Sequence, residues 1–463
     1  MRQYKIYTKK GELSEIEDYL FEKEDDFKYL IDKEVFSKSS SEGIAPTNLK
    51  YLKRFGIEWE EMSDKGHMRY QPKAALMFDL ISEYAWNRAN SLGIPIYQIK
   101  GTNMFKLSEP AVREHAELFG DRLYEIEDEK EKYILRYAAC HQQFAAIKHW
   151  NISYKHLPFG TYENADSYRL EQSGELLLCF RTRRMNMPDL HIFSRNIEEA
   201  KRITLDIHKN IFEEFESNLG RNLVNLYNLT ESFFYENKDY MKQLLEIETN
   251  PVLLNFVPEN KYYWVINVEY NIIDNIKNPR EIATFQIDIG NSKRFGIKYI
   301  REDGEEVYPP IIHTALIGTI ERYLYTLFDT AALNEKNGNN PSLPTWVIPT
   351  QVRIIPVSDQ YKPFALKTAK ILHERSIRVD VDDRQESVGR KVANAEKDWV
   401  NYVLVVGEKE QNSGVFSIRN RASKQIKKNT LKEFINSLEK ELEGKPRIQP
   451  YFPLEISKIP IFR

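Results

Sequence analysis

The stretch SYRLEQSGELLLCFRTRRMNMPDLHIF, Ser167 to Phe193, carries Arg169, Arg181, Arg183 and Arg184 with Glu171 on what reads as two short strands joined by a Ser-Gly turn, and it closes on Asp189 and His191. Long charged side chains on an antiparallel strand usually face water, so a solvated edge strand is the plain reading; the amount of charge on one hairpin asks for more. Cys140, His191 and His313 could ligate a metal, but they lie far apart in sequence and match no local pattern such as C-x2-C. Spacing alone favours the plainer reading, a buried thiol and two hydrogen-bonded histidines. A third feature is HTALIGTIERYLYTLF, in which a Gly-Thr turn opens an amphipathic stretch with Glu321 and Arg322. An arginine there is most often a surface cation.

The 463 residues are 41% hydrophobic, 12% aromatic and 29% charged, with a net charge of -3. That balance describes a globular chain of two to four domains with no global pull toward nucleic acid or membrane, so any polyanion must meet local clusters. No run approaches a membrane span, the N-terminus lacks the apolar core of a signal peptide, and the two cysteines, Cys140 and Cys179, are too few for a disulfide framework. A soluble, cytoplasmic protein is the expectation.

Certain elements must position these residues. After a charged N-terminal stretch ending in the Ser-rich SKSSSEG, a long helix from Lys73 is expected to end at Gly93 and feed the strand IPIYQIKG. KYILRYAACHQQFAAIKHW reads as strand into helix. Asn196 to Glu216 and Ser232 to Thr249 read as helices, KYYWVINVEYNII, REIATFQIDI and FGIKYI as strands, and Thr314 to Thr326 as a helix. This order predicts an α+β fold, a large antiparallel sheet with flanking helices. NEKNGNNPSLP is the clearest linker, and beyond it strands and helices alternate as in a smaller α/β domain with a mainly parallel sheet. The expected division is a short N-terminal extension at 1–45, a catalytic domain at 46–335, and a domain at 345–463 that includes a C-terminal tail.

SYRLEQSGE followed by FR resembles motif 2 of the class II aminoacyl-tRNA synthetases, GTIERYLY resembles motif 3, and Lys73 to Lys100 occupies motif 1. Cys140, His191 and His313, with the ending PDLHIF, are similar to the threonyl-tRNA synthetases of archaeal type. The resemblance implies a class II catalytic domain, a class IIa anticodon-binding domain and a homodimer. It also implies ATP with Mg2+, L-threonine and tRNA(Thr) as substrates, and one Zn2+ per subunit held by Cys140, His191 and His313. Arg169 would clamp the α-phosphate and the threonine carboxylate, because guanidinium forks bind oxyanions bidentately. Arg322, with Thr319 nearby, would hold the γ-phosphate. Arg181, Glu171, Glu281 and Thr284 would serve the nucleotide, and Asp189 and Gln286 the threonine.

Where bacterial relatives have an aromatic under the adenine and a nearby glutamine, this chain has Met185 and Met187; the motif 1 proline is missing from IKGTNMF, and YYWVINVEY has no lysine matching the bacterial pattern. In the C-terminal domain DDRQESVGRKV offers Arg384, Glu386 and Arg390, with Lys391, as an anticodon face. Arg419, Arg421, Lys424, Lys427 and Lys428 form a basic cluster that could track phosphates or simply be solvated. Only about 45 residues precede the resemblance, and no two of the nine histidines stand four apart. The expectation is an enzyme that does not edit Ser-tRNA(Thr) itself and depends on a separate trans-editing protein. The rival readings are another class IIa synthetase, for serine or proline, and a synthetase-like RNA-binding regulator that has lost catalysis. The zinc trio with Asp189 argues against the first, and Arg169 with Arg322 against the second.

Overall fold

The structure, a computed structural model, describes residues 3–22, 25–38, 43–117 and 119–462. Residues 39–42 of the Ser-rich joint and 23–24 of the charged N-terminal stretch lie outside the described residues. Two compact units form: one from residues 1–47, 59–68 and 85–326, the other from 48–58, 69–84 and 327–463. No helix among the described residues is long and apolar enough to cross a membrane.

The first unit is built on a ten-stranded sheet. In chain order its strands are β1 (Gln3–Tyr7), β2 (Leu13–Ser14), β3 (Ile96–Gln98), β4 (Phe159–Tyr168), β5 (Arg184–Phe193), β6 (Leu223–Thr230), β7 (Val252–Val257), β8 (Trp264–Ile273), β9 (Pro279–Asp288) and β10 (Ile311–Ala315). Their spatial order is β2-β1-β7-β6-β8-β9-β10-β5-β4-β3. Pairing is antiparallel throughout β6-β8-β9-β10-β5-β4, and parallel between β6 and β7 and between β3 and β4. Helix Ile197–Phe212 buries Ile203, Ile207 and Ile211 at four-residue spacing, and the Asn196 side chain caps it by accepting from the Glu199 amide at 2.9 Å. The N-terminal segment is part of this core: Ile6, Phe27, Leu30 and Ile31 pack with Val224, Leu226 and Leu253.

Several local expectations are corrected. Arg169, Glu171, Arg181 and Arg183 lie not on short strands but in the 15-residue connection between the ten-residue strands β4 and β5. HTALIG does not open a helix. His313 lies on β10, and the helix is Ile320–Lys336. Gly318 makes the turn between them at φ +69°, and a Cβ there would stand 1.9 Å from the Ile282 carbonyl oxygen. The Ser232–Thr249 helix is two helices, Glu231–Glu236 and Lys238–Ile247, interrupted at Asn237. FGIKYI contributes only the two-residue strand Tyr299–Ile300.

The second unit holds a five-stranded sheet of β11 (Val352–Pro356), β12 (Val379–Val381), β13 (Tyr402–Val406), β14 (Val415–Asn420) and β15 (Ile426–Thr430), in spatial order β12-β11-β13-β14-β15. The first three run parallel and the last two are added antiparallel. Val352, Ile354, Leu372, Leu404 and Phe434 form its core. Arg353, buried on β11, is neutralised by Asp380 at 2.8 and 2.9 Å and Asp398 at 2.7 Å.

Candidate active site

One row of residues crosses seven strands of the large sheet in register: Thr161 on β4, His191 on β5, His313 on β10, Gln286 on β9, Asn267 on β8, Asn228 on β6 and Asn255 on β7. Residues directly opposite one another project from the same face, so seven polar side chains line one face. Strands buried on both faces would carry apolar residues at these positions; an unbroken polar row marks a surface kept for polar ligands.

A cavity of about 320 Å³ opens over the middle of this row. Its arginine end carries Arg169, Glu281, Thr284, Thr319 and Arg322; its histidine end carries Cys140, Asp189, His191, Gln286 and His313; Met185 and Met187 also line it. Ten of the sequence-predicted residues, from four separate segments, therefore meet in one cavity. Arg169 lies over the Phe119 ring at 5.2 Å and donates to the Tyr137 carbonyl at 3.2 Å. Burial, and then the like charges of Arg322 and Arg122, lower its proton affinity, so an arriving anion relieves a repulsion. Arg322 stacks on Phe180 at 4.9 Å and donates to the Glu281 carbonyl and carboxylate at 3.0 and 3.1 Å. Thr319 accepts from the Arg322 amide at 3.1 Å. Glu171 and Arg181 do not line the cavity; they pair at 2.8 Å in the β4–β5 connection, where Arg181 also reaches Glu175 at 3.0 Å.

At the other end the donors are oriented by residues that sequence reading missed. Gln143, one turn after Cys140, donates through Nε2 to the Asp189 carbonyl at 3.3 Å. Its Oε1 therefore accepts from Thr161 at 2.6 Å and from His191 Nδ1 at 3.0 Å. Asp288 accepts from His313 Nε2 at 2.7 Å. With both rings neutral and held this way, His191 Nε2 and His313 Nδ1, 3.1 Å apart, would turn lone pairs toward each other. Two lone pairs at that distance suit a shared cation, and histidines held by an amide oxygen and a carboxylate are arranged as metal-binding histidines are. The Cys140 thiol lines the same cavity, with burial pushing it up to about 12; burial lifts Asp189 to about 6. Among the described residues no group of three or more His, Cys, Asp or Glu is gathered closely enough to hold a metal as the side chains stand.

Asp288 follows Gln286 at the two-residue period of the same strand face, a signal that could have found it; Gln143 had none. Glu321 serves the frame, its carboxylate accepting from the Asn186 amide at 3.0 and 3.1 Å.

Residues 124–331 match the family model of the class II tRNA synthetase core domain (G, H, P, S and T), and residues 351–441 that of the anticodon-binding domain. A threonine–tRNA ligase of Thermofilum pendens is 54% identical over 94% of this chain and 71% of its own length. Those of Pyrobaculum islandicum and Staphylothermus marinus are 52% and 50% identical over 99% of this chain and 74% and 75% of theirs. The chain belongs to the threonine–tRNA ligases. Among solved structures, the RNA-binding domain of threonyl-tRNA synthetase from Cryptosporidium parvum superposes with a TM-score of 0.73 at 21% identity, covering 85% of this chain and 96% of that one. Prolyl-tRNA synthetase from the same organism gives 0.65 at 17%, covering 86% and 76%, which speaks for the shared fold.

In this class II ligase the C-terminal candidates separate into two kinds. Arg384, Glu386 and Arg390 surround the loop before helix Val388–Lys397: Arg384 pairs with Asp382 at 2.6 Å, and Arg390 is exposed beside Glu386 at 3.7 Å. Lys391 is buried. The basic cluster is not one surface, because Arg419 and Arg421 pair with Glu396 at 3.1 and 2.6 Å and Arg421 is buried, whereas Lys424, Lys427 and Lys428 are exposed.

Proposed function

We propose that the 320 Å³ cavity joins threonine to ATP and then hands it to tRNA(Thr), with the residue roles as follows. ATP enters with Mg2+ at the arginine end. A threonine carboxylate oxygen attacks the α-phosphorus, the bond to the β-phosphate oxygen breaks, and pyrophosphate leaves. Arg169 holds the carboxylate and α-phosphate in line and stabilises the charge that builds on the phosphoryl oxygens. Arg322 turns from Glu281 to the γ-phosphate. Glu281, Thr284 and Thr319 bound the nucleotide, while Glu171 and Arg181 shape it from the β4–β5 connection. In the second step a ribose hydroxyl at the 3′ end of tRNA attacks the carbonyl carbon, and AMP leaves.

At the histidine end Gln286 and Asp189 face the substrate amine and hydroxyl. A Zn2+ ion held by Cys140, His191 and His313 would act there as a Lewis acid that accepts an amine and a hydroxyl together, a pair that valine cannot offer. Arg384, Glu386 and Arg390 would read the anticodon. A cytoplasmic homodimer completes the reading, together with a separate protein that clears Ser-tRNA(Thr). Serine differs from threonine by one methyl, worth only about 1–3 kcal/mol of discrimination.

The observation that carries the reading is the meeting of two half-buried arginines, a histidine pair and a thiol in one cavity. ATP–pyrophosphate exchange across the twenty amino acids tests it. Stimulation by threonine is expected; stimulation by serine or proline alone, or by none, contradicts it.

A further inference from the structure

The β4–β5 connection, which starts at Arg169 and carries Glu171, is held from a distant part of the chain. Residues 59–68 belong to the same unit and close a loop, the Glu60 amide donating to the His67 carbonyl at 2.8 Å. Three alternate residues of this loop, Asp64, Gly66 and Met68, meet the connection. Asp64 Oδ2 accepts from Arg183 Nη1 at 3.0 Å and from the Tyr124 hydroxyl at 2.5 Å, and its Oδ1 stands against His67 Nδ1. The Gly66 carbonyl accepts from the Arg183 amide at 2.8 Å. There the approach leaves no room for a side chain: φ is +115°, and a Cβ would stand 2.6 Å from Arg183 Cγ. The Met68 sulfur accepts from the Cys179 amide at 3.4 Å.

Arg183 passes this hold on. Its Nε donates to the Glu171 carbonyl at 2.9 Å, its Nη2 to the Ser173 hydroxyl at 3.3 Å, and its own carbonyl accepts from the Arg169 amide at 2.8 Å. Glu171 is thus tied at both ends, its carbonyl by Arg183 and its carboxylate by Arg181 at 2.8 Å. The Asp64 side chain is 38% exposed, and an ion pair so placed adds little to global stability. A guanidinium that bridges a carboxylate and a main-chain carbonyl does something else, fixing where that carbonyl and the residue bearing it stand. A 15-residue connection of little regular structure must otherwise be ordered when its ligand arrives, at a cost to affinity.

We infer that Asp64 is a positioning residue for ATP: through Arg183 it orders the β4–β5 connection beforehand, so that Glu171 is in place when the nucleotide arrives. The inference rests on the proposed reading in which this connection shapes the nucleotide end of the 320 Å³ cavity. Asp64 touches no reacting atom. Its removal leaves the bond-making groups as they are and lowers the fraction of molecules whose connection stands ready, and the apparent affinity for ATP falls by that fraction.

The test is threonine-dependent pyrophosphate exchange on the full chain, with kcat, KM for ATP and KM for threonine separated and urea unfolding measured alongside. Asp64→Ala should raise KM for ATP about tenfold, the scale of one hydrogen bond to a charged group, while kcat, KM for threonine and the urea midpoint change little. Asp64→Asn keeps an acceptor oxygen and should lie between. Arg183→Ala should raise KM for ATP at least as far, and adding Asp64→Ala to it should cost little more, because Asp64 acts through Arg183. An unchanged KM for ATP in Asp64→Ala, additive losses in the double variant, or a general loss of kcat and of both affinities with a lowered urea midpoint would overturn the inference. Failure of wild type to exchange with threonine would instead overturn the reading on which it rests.

Discussion

The two halves of the polar row are built from the same strands yet solve the burial of polar groups differently. In the histidine half each oriented ring is backed by a partner outside the row, Gln143 for His191 and Asp288 for His313, and the two facing ring nitrogens stand 3.1 Å apart. In the asparagine half the residues back one another, with Glu269 as the single anchor and one acceptor left over at the far end. Convergence with outside support fixes atoms for metal or phosphoryl chemistry; a relay of amides sets hydrogen-bonding direction over a longer span.

The sharpest break in this comparison lies at the arginine end of the shared cavity. Arg169→Ala and Arg322→Ala are expected to lower the rate of threonine activation by about 100-fold or more, the scale of losing an oriented charge at a transition state, with thermal unfolding little changed. Pyrophosphate exchange together with differential scanning calorimetry checks this; a folded variant that activates threonine at the wild-type rate removes that arginine from the mechanism.

Next in size is the outside support of the histidine half. Asp288→Asn keeps the shape and removes the charge that orients His313, so on the proposed zinc reading the affinity for Zn2+ should fall about 10- to 100-fold. Competition with a chelator, followed by metal analysis, measures it. An undiminished affinity would make Asp288 a purely structural partner of the Gly290 and Asn291 amides, which it also accepts from at 2.7 and 2.9 Å.

Gly318 tests the frame that both halves share. Its positive φ and the 1.9 Å approach to the Ile282 carbonyl imply that Gly318→Ala strains the turn between β10 and the arginine-bearing helix by about 1–3 kcal/mol or more. Urea unfolding should show the loss, and activity should fall with it because Thr319 and Arg322 start from that turn. A variant of wild-type stability would mean the turn relaxes freely.

The smallest expected effect comes from the opposite face of β6, where Asn225 and Tyr227 hydrogen-bond to the buried Glu248 at 2.7 and 2.5 Å. Burial raises the Glu248 carboxyl from 4.5 to about 8. Between those values the folded state holds a proton that the unfolded state has released, so this group's contribution to stability falls as pH rises from about 4.5 through 8. Glu248→Gln should flatten that slope, with its benefit over wild type larger at pH 9 than at pH 5 in denaturant titrations. An unchanged slope would show that the carboxylate is already ionised in the fold.

The sequence was most readable where rare residues carry the chemistry. Arg169, Arg322, Cys140, His191 and His313 stand out by type and by motif, and they do meet in one cavity. Their local setting was less readable. His313 sits in HTALIG, where the following helix's apolar spacing masked a five-residue strand, and the long β4–β5 connection looked like a tight turn because Ser173 and Gly174 carry turn chemistry of their own. The asparagine half was invisible. Asparagine is disfavoured in strands, so LVNLYNLT and VLLNFV do not read as the neighbours of β8, and nothing local shows that Asn228, Asn255 and Asn267 share a row. Register across a sheet is a long-range property, set by which strands pair, and Gln143 and Asp288 gain their meaning only from it.

Pyrophosphate exchange with threonine and with valine, measured side by side on the metal-loaded chain, tests the central claim that the histidine half selects its substrate by an oriented polar contact. A site built to bind a hydroxyl should reject the isosteric analogue lacking it by about 10⁴-fold in kcat/KM. That gap is expected for threonine over valine; comparable rates for the two would contradict the account.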